Sequence, residues 1–196
     1  MYRFRCKAIF NNYLQIWIVK RYFSAKLRVM NRMDDRAGKG AEPQTRWLND
    51  EQKDAFYTLM ALIIEVDRSL DHQLTQNAGL SHFGYTALAR LSEAENRSLR
   101  MSDLASTANG SLSRLSQVIA KLEKKGWVTR SADPDDGRYT VATLTDAGYE
   151  KVVATAPGHV EQVQKVLFDP LTKSQVQQIH TIGQRILKRI KEDDSK

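Results

Sequence analysis

Cysteine is nearly absent from this chain of 196 residues: the single Cys6 excludes an internal disulfide framework and any cysteine-based zinc site. The four histidines, His72, His82, His159 and His180, are scattered without metal-ligand spacing and read as surface or helix-packing residues. No Gly-rich phosphate loop, nucleophile elbow or pair of carboxylates placed for catalysis occurs, so neither an enzyme nor a cofactor is expected. Acids are missing from the first 33 residues, which hold eight Lys or Arg. That leader carries the net charge of +7, because the remaining 163 residues hold 22 bases against 23 acids. Overall basicity therefore says little about partners, and a case for nucleic-acid binding rests on where charge is placed.

A long uninterrupted apolar run is also lacking. "AIFNNYLQIWIV" in the leader is too short and too broken to span a membrane. The leader has three readings: an over-extended reading frame with the true start at Met30 or Met33, a flexible basic arm, or a targeting or interfacial segment. Residues 34–46, polar and containing Gly and Pro, read as a linker. The expected organisation is a basic leader and linker over 1–45, disordered or mis-assigned, followed by one domain over 46–192.

What is present is mostly helical periodicity. Asn49 and Gln52 form a capping-box pattern, with Asp50 and Glu51 in the first turn. Phe56, Leu59, Met60, Ile63, Leu70 and Leu74 then recur at helical spacing to about Asn77. A helix that long is more than a compact monomer of this size covers, so part of its stripe is expected to pack on another chain. A monomeric bundle is the alternative. Thr172 and Gln175 form a second capping box, leading into Val176, Ile179, Ile182, Ile186 and Ile190. A further helix is expected from Thr145 through Tyr149, Val152 and Val153, interrupted at Pro157-Gly158, with Val160, Val163, Val166 and Leu167 resuming its stripe before "DPLT".

Between Ser81 and Leu144 the elements shorten. Phe83, Ala87, Leu88 and Leu91 mark one helix, and "RMSDLAS" a second of about two turns. After the turn "TANGS" a third helix opens near Ser111, with Leu112, Leu115, Ile119 and Leu122 on its inner face. The opposite face shows Ser113, Arg114, Ser116, Gln117, Ala120 and Lys121. Apart from Glu123, residues 111–130 carry only bases: Arg114, Lys121, Lys124, Lys125 and Arg130. Such residues can contact base edges and phosphates in a major groove, and they would equally suit a solvated helix face. Gly126 can end the helix in the left-handed conformation. "WVTRS" and "YTVATL" then read as a hairpin around Pro134-Asp135-Asp136-Gly137. Helix-turn-helix followed by a hairpin is a winged helix. The fold class is mainly α with a small β-hairpin wing, the winged helix-turn-helix at about 80–145 framed by dimerisation helices at about 49–78 and 146–192.

The segment "LEKKGWVTRSADPDDGRYTVATLTDAG", Leu122 to Gly148, closely resembles the signature of the MarR-type (multiple-antibiotic-resistance) winged-helix regulators. The matching features are Leu-Glu before Gly126-Trp127-Val128, the Asp136-Gly137-Arg138 wing, and Thr145-x-x-Gly148. Looser resemblance runs from about Asn49 to Ile190. It implies a cytoplasmic homodimer built on the first and last helices, which binds double-stranded DNA at an inverted-repeat operator and represses transcription. It also implies release by a small aromatic or phenolic effector held between the dimerisation helices and the winged lobe.

Carried over by position, Ser111 to Lys125 is the recognition helix, and Ser111 is itself among the expected DNA-binding residues. Arg114 and Gln117 are then the expected base-edge contacts, and Ser113, Ser116, Lys121 and Lys124 the phosphate contacts. Arg138 enters the minor groove, supported by Asp136. Effector candidates are Trp47, His72, His82 and Tyr85. Gln117 stands where many relatives have Arg, and Gly137 replaces the first of two common wing arginines, which thins the cationic footprint. Thiol sensing is not expected, because Cys6 lies outside the domain. The competing reading is a winged-helix module that docks a protein and has no sequence preference for DNA.

Overall fold

The structure, a computed structural model, describes residues 45–194, so the leader, Cys6 and the candidate starts Met30 and Met33 lie outside the described residues. The chain divides into two units, 1–64 and 65–196, inside its first helix. That helix, α1, is Asp50–Ala78. Its capping box forms as the spacing predicts: Asn49 N–H donates to Gln52 Oε1 (3.1 Å) and Gln52 N–H to Asn49 Oδ1 (2.8 Å). In the first unit Trp47, Leu48, Phe56, Leu59, Met60, Leu62, Ile63 and Ile64 are all exposed.

In the second unit the end of α1 turns inward, with Leu70 and Leu74 buried. Gly79 takes φ +64°, and Leu80 N–H returns to the Leu74 carbonyl, ending α1 in a Schellman-type turn. Next come α2 (His82–Glu93), capped by the Ser81 hydroxyl, and a short 3₁₀ turn, Glu95–Arg97. Strand β1 (Ser98–Arg100), α3 (Met101–Thr107) and α4 (Leu112–Lys124) follow. Strands β2 (Val128–Ala132) and β3 (Thr140–Leu144), then α5 (Asp146–Val163), lead to a π-helical turn, Gln164–Phe168, and α6 (Lys173–Asp194). Leu74, Leu88, Leu91, Leu104, Leu115, Ile119 and Val128 form the fully buried centre. They come from α1 to α4 and from β2, so the core is what fixes α4 against its neighbours.

The expected hairpin is part of a three-stranded antiparallel sheet in the order β1-β3-β2, with Leu99 opposite Ala142 and Arg130 also opposite Ala142. Strand β1 has only three residues, too few for an alternating signal. The connection from β2 to β3 spans 133–139, longer than the four-residue turn expected. Pro157 does not interrupt its helix: α5 runs through it. An interior proline costs roughly 3 kcal/mol. Contacts on both sides offset that cost, Val152 and Thr155 being buried before it, and Gln162 Nε2 donating to Ser69 Oγ (3.0 Å) after it. Leu112, assigned to the inner face of its helix, is 52% exposed.

The Thr145-x-x-Gly148 pattern is a joint between α4 and α5. Thr145 caps α5 by accepting the Gly148 N–H (3.0 Å), donates its hydroxyl to the Gly126 carbonyl (2.7 Å), and sends its own N–H to the Trp127 carbonyl (3.1 Å). A Cβ at Gly148 would overlap that same Trp127 carbonyl oxygen and lie 2.7 Å from Leu144 Cδ1. Backbone cannot swing aside as a side-chain tip can. Gly148→Ala is therefore expected to destabilise the fold by roughly 1–3 kcal/mol, the cost of overpacking. A urea midpoint equal to the unaltered chain's would contradict the joint.

Candidate nucleic-acid interface

Helix α4 begins where the Ser111 hydroxyl accepts the Arg114 N–H (3.2 Å). At about 100° per residue, burying Leu115, Ile119 and Leu122 turns Ser113, Gln117, Lys121 and Lys124 outward, and all four are exposed. Ser116 is half-buried beside them. On one flank the Arg114 guanidinium lies over the Phe83 ring, 4.3 Å from its centroid. Gly110 makes room for that ring, since a Cβ there would sit 2.5 Å from its Cε2 and Cζ. On the other flank Glu123 takes both Nε (3.0 Å) and Nη2 (2.6 Å) of Arg130 from β2, and this bond holds its carboxyl below the usual carboxylate range.

The positive stretch 111–130 thus sorts into structural and available charge. Arg130 is paired with Glu123, and Lys125 donates to the Gly79 carbonyl (3.0 Å), steadying the end of α1. Arg114, Lys121 and Lys124 form no ion pair among the described residues.

The acidic loop 133–139 is built around Asp133, which is buried. Its Oδ1 accepts the N–H groups of Asp135 (2.9 Å) and Asp136 (3.3 Å), an Asx-type turn. Its Oδ2 accepts Arg100 Nε at 2.5 Å, and Arg100, then the Asp135 N–H, hold the carboxyl below the usual range. Arg100 also lies over Tyr139, 4.7 Å from the ring centroid. Asp136 grips Arg138 in a fork, Nε to Oδ1 (2.9 Å) and Nη2 to Oδ2 (2.6 Å), and accepts the Arg138 N–H as well. These bonds push the Asp136 carboxyl down and the Arg138 guanidinium up. The Arg138 side chain is nonetheless 83% exposed. Of the three loop acids, only Asp135 has no cation beside it among the described residues. Between wing and helix lies a groove of about 330 Å³ lined by Met101, Ser102, Leu112, Ser116, Arg130, Arg138, Tyr139 and Thr140.

Of the effector candidates, His82 and Tyr85 come together and His72 does not, being exposed on α1. Trp47 belongs to the first unit, where it too is exposed. His159 from α5 joins the pair, its ring centroid 4.7 Å from Tyr85 and 5.7 Å from His82. His82 Nδ1 is 2.7 Å from Asp67 Oδ1. Burial, then His82, keeps the His159 imidazole below its ordinary pKa, and burial first raises the Tyr85 phenol. His159 Nδ1 and Gln73 Oε1 are buried with no hydrogen-bond partner among the described residues.

Sequence reasoning missed Phe83, Arg100, His159 and Gln73 as parts of these sites. Phe83, Arg100 and His159 each act on a group distant in the chain, and none of the four sits in a motif that announces it. Among the described residues no group of three or more His, Cys, Asp or Glu is placed to hold a metal, and no helix is long and apolar enough to cross a membrane.

Residues 80–140 match the family model described as MarR family. The structure superposes on Sco3205, a MarR family transcriptional regulator from Streptomyces coelicolor solved in complex with DNA, with TM-score 0.70 and 39% identity, covering 74% of this chain and 91% of that one. AbsC, a MarR family transcriptional regulator from the same organism, gives 0.69 and 32%, covering 76% and 99%. The chain belongs to the MarR family. In this MarR protein the α3–α4 pair and the β2–β3 hairpin are the helix-turn-helix and wing of that fold. A curated relative, the Bacillus subtilis strain 168 regulator YdcH, is 34% identical over 82 residues, 42% of this MarR chain and only 55% of YdcH. The match thus spans little more than half the length of that relative.

Proposed function

We propose that this MarR protein is a homodimeric repressor that reads an inverted-repeat operator with α4 in successive major grooves and Arg138 in the adjacent minor groove. The observation that carries this is the solvent-facing crown of α4, Ser113, Gln117, Lys121 and Lys124 with Arg114 at its flank, next to a wing whose arginine is exposed. The residues outside the leader are nearly neutral, so an unpaired cationic crown on one helix is a placed feature. Half-sites then lie about one turn, ~10 bp, apart. Arg114 and Gln117 contact base edges, while Ser113, Ser116, Lys121 and Lys124 hold phosphates. The Ser111 hydroxyl keeps its cap. A small aromatic or phenolic effector sits against His82, Tyr85 and His159, where ring faces and the unpaired His159 Nδ1 suit a planar ligand with one polar group. The protein works in the cytoplasm, beside the DNA it binds.

Selection of binding duplexes from a random pool by the full chain tests this. The expected product is an inverted repeat; salt-sensitive retention of duplexes with no enriched sequence would instead favour a protein-docking module. With a selected duplex, Lys121→Ala is expected to lower the slope of log K against log salt by about one unit per half-site, the release of one counterion. An unchanged slope removes Lys121 from the phosphate contacts. Arg138→Ala is expected to weaken binding roughly fivefold per wing, the low end for one arginine contact. The loss is small because Arg138 must share or give up its fork with Asp136 to reach DNA. Equal anisotropy titrations would take Arg138 out of the site.

A further inference from the structure

We propose that Leu112 is a specificity-determining residue that reads a thymine methyl group in the operator, an inference that rests on α4 entering the major groove. Leu112 is the first residue of α4, immediately after the Ser111 cap. The N-terminal residues of a recognition helix are the ones that meet base edges. Its stripe-mates Leu115, Ile119 and Leu122 are at most 3% exposed, whereas Leu112 is 52% exposed. The core closes without it. Its side chain opens instead on the groove between α4 and the wing, in company with Ser116 one turn on, Arg138 and Tyr139.

A leucine makes no hydrogen bond, so among the groups on a major-groove floor it can favour only an apolar one. The thymine C5 methyl is that group, and the other base edges present donors and acceptors that a leucine would desolvate without replacing. Leu112 therefore both attracts thymine and disfavours other bases at one position per half-site. It supplies discrimination on a helix where Gln117 stands in place of a cation.

The test uses a duplex selected with the full chain and a set of copies in which each thymidine in turn is replaced by deoxyuridine, which removes only the methyl. One thymine per half-site is expected to lose about fourfold in affinity on replacement, the worth of one buried methyl-sized group. Leu112→Ala is expected to bind the methylated and unmethylated duplexes alike. Leu112→Gln, polar at an exposed position, serves as a second variant with the same expectation, and thermal melts check that both remain folded. Indifference of the unaltered chain to every replacement, a selected half-site without thymine, or retention of the methyl effect by both variants would overturn the assignment of Leu112. Failure to enrich any sequence would instead overturn the DNA-reading role on which it rests.

Discussion

A chain carrying Ile182→Glu is expected to run as a monomer where the unaltered chain runs as a dimer, and to bind a selected operator at least about a hundredfold more weakly. The reason begins with α6. It is capped as its sequence predicts, the Thr172 N–H donating to Gln175 Oε1 (2.8 Å) and the Gln175 N–H to Thr172 Oγ1 (3.3 Å). None of its residues whose burial is described is buried. Ile179, Ile182, Ile186 and Ile190 form one stripe and are 46–55% exposed.

Most helical stability in proteins comes from packing an amphipathic face, and an apolar stripe of four isoleucines needs cover. In the homodimer proposed above, a second copy would supply it symmetrically, stripe against stripe. Burying the exposed half of each isoleucine contributes about 1 kcal/mol, so eight of them in two copies contribute roughly 8 kcal/mol. The substituted carboxylates, one from each chain, would place two unpaired charges in that seam, each costing several kcal/mol. A monomer meets one half-site only and loses the gain from linked binding, which spans about 10² to 10⁴. Sedimentation velocity reads the mass and anisotropy the affinity. A dimer of unaltered stability would contradict the role given to α6.

Arg114→Ala is expected to cost about 2–6 kcal/mol of operator affinity, since each of two half-sites loses a contact worth about 1–3 kcal/mol. Folding should change little, because an exposed cation over an aromatic face contributes only about 0.5–1 kcal/mol. Phe83 is 8% exposed and supports the guanidinium from beneath, so Arg114 would meet DNA already ordered. Arg114→Lys keeps the charge but loses the planar fork, and should fall between the two. A denaturant midpoint several kcal/mol lower, with affinity for DNA intact, would make Arg114 merely a cover for Phe83.

How much of this could be read from the chain follows from the range of the interactions. The capping boxes at Asn49 and Thr172, the stripe of α4 and the left-handed Gly126 (φ +74°) are set within a few residues, and all stood in the sequence. The fork from Asp136 to Arg138 is likewise local, and it pairs one of the loop's three acids from within the loop. Its other half was hidden, because Arg100 reaches Asp133 across 33 positions. Likewise β1 has too few residues to show a period, and Pro157 stays helical only because packing on both sides holds it. The pairing of His159 with Tyr85 and the support of Arg114 by Phe83 are tertiary facts. The exposure of Leu112 is one too, since periodicity places a residue on a face but cannot say where that face ends.

The most direct measurement is the affinity of the full chain for a selected duplex against a scrambled duplex of equal length and composition, at one fixed salt concentration near physiological ionic strength, about 0.15 M. A ratio of about 10³ or more is predicted, the range separating specific from phosphate-only binding. Equal affinities for the two duplexes would contradict a helix that reads sequence.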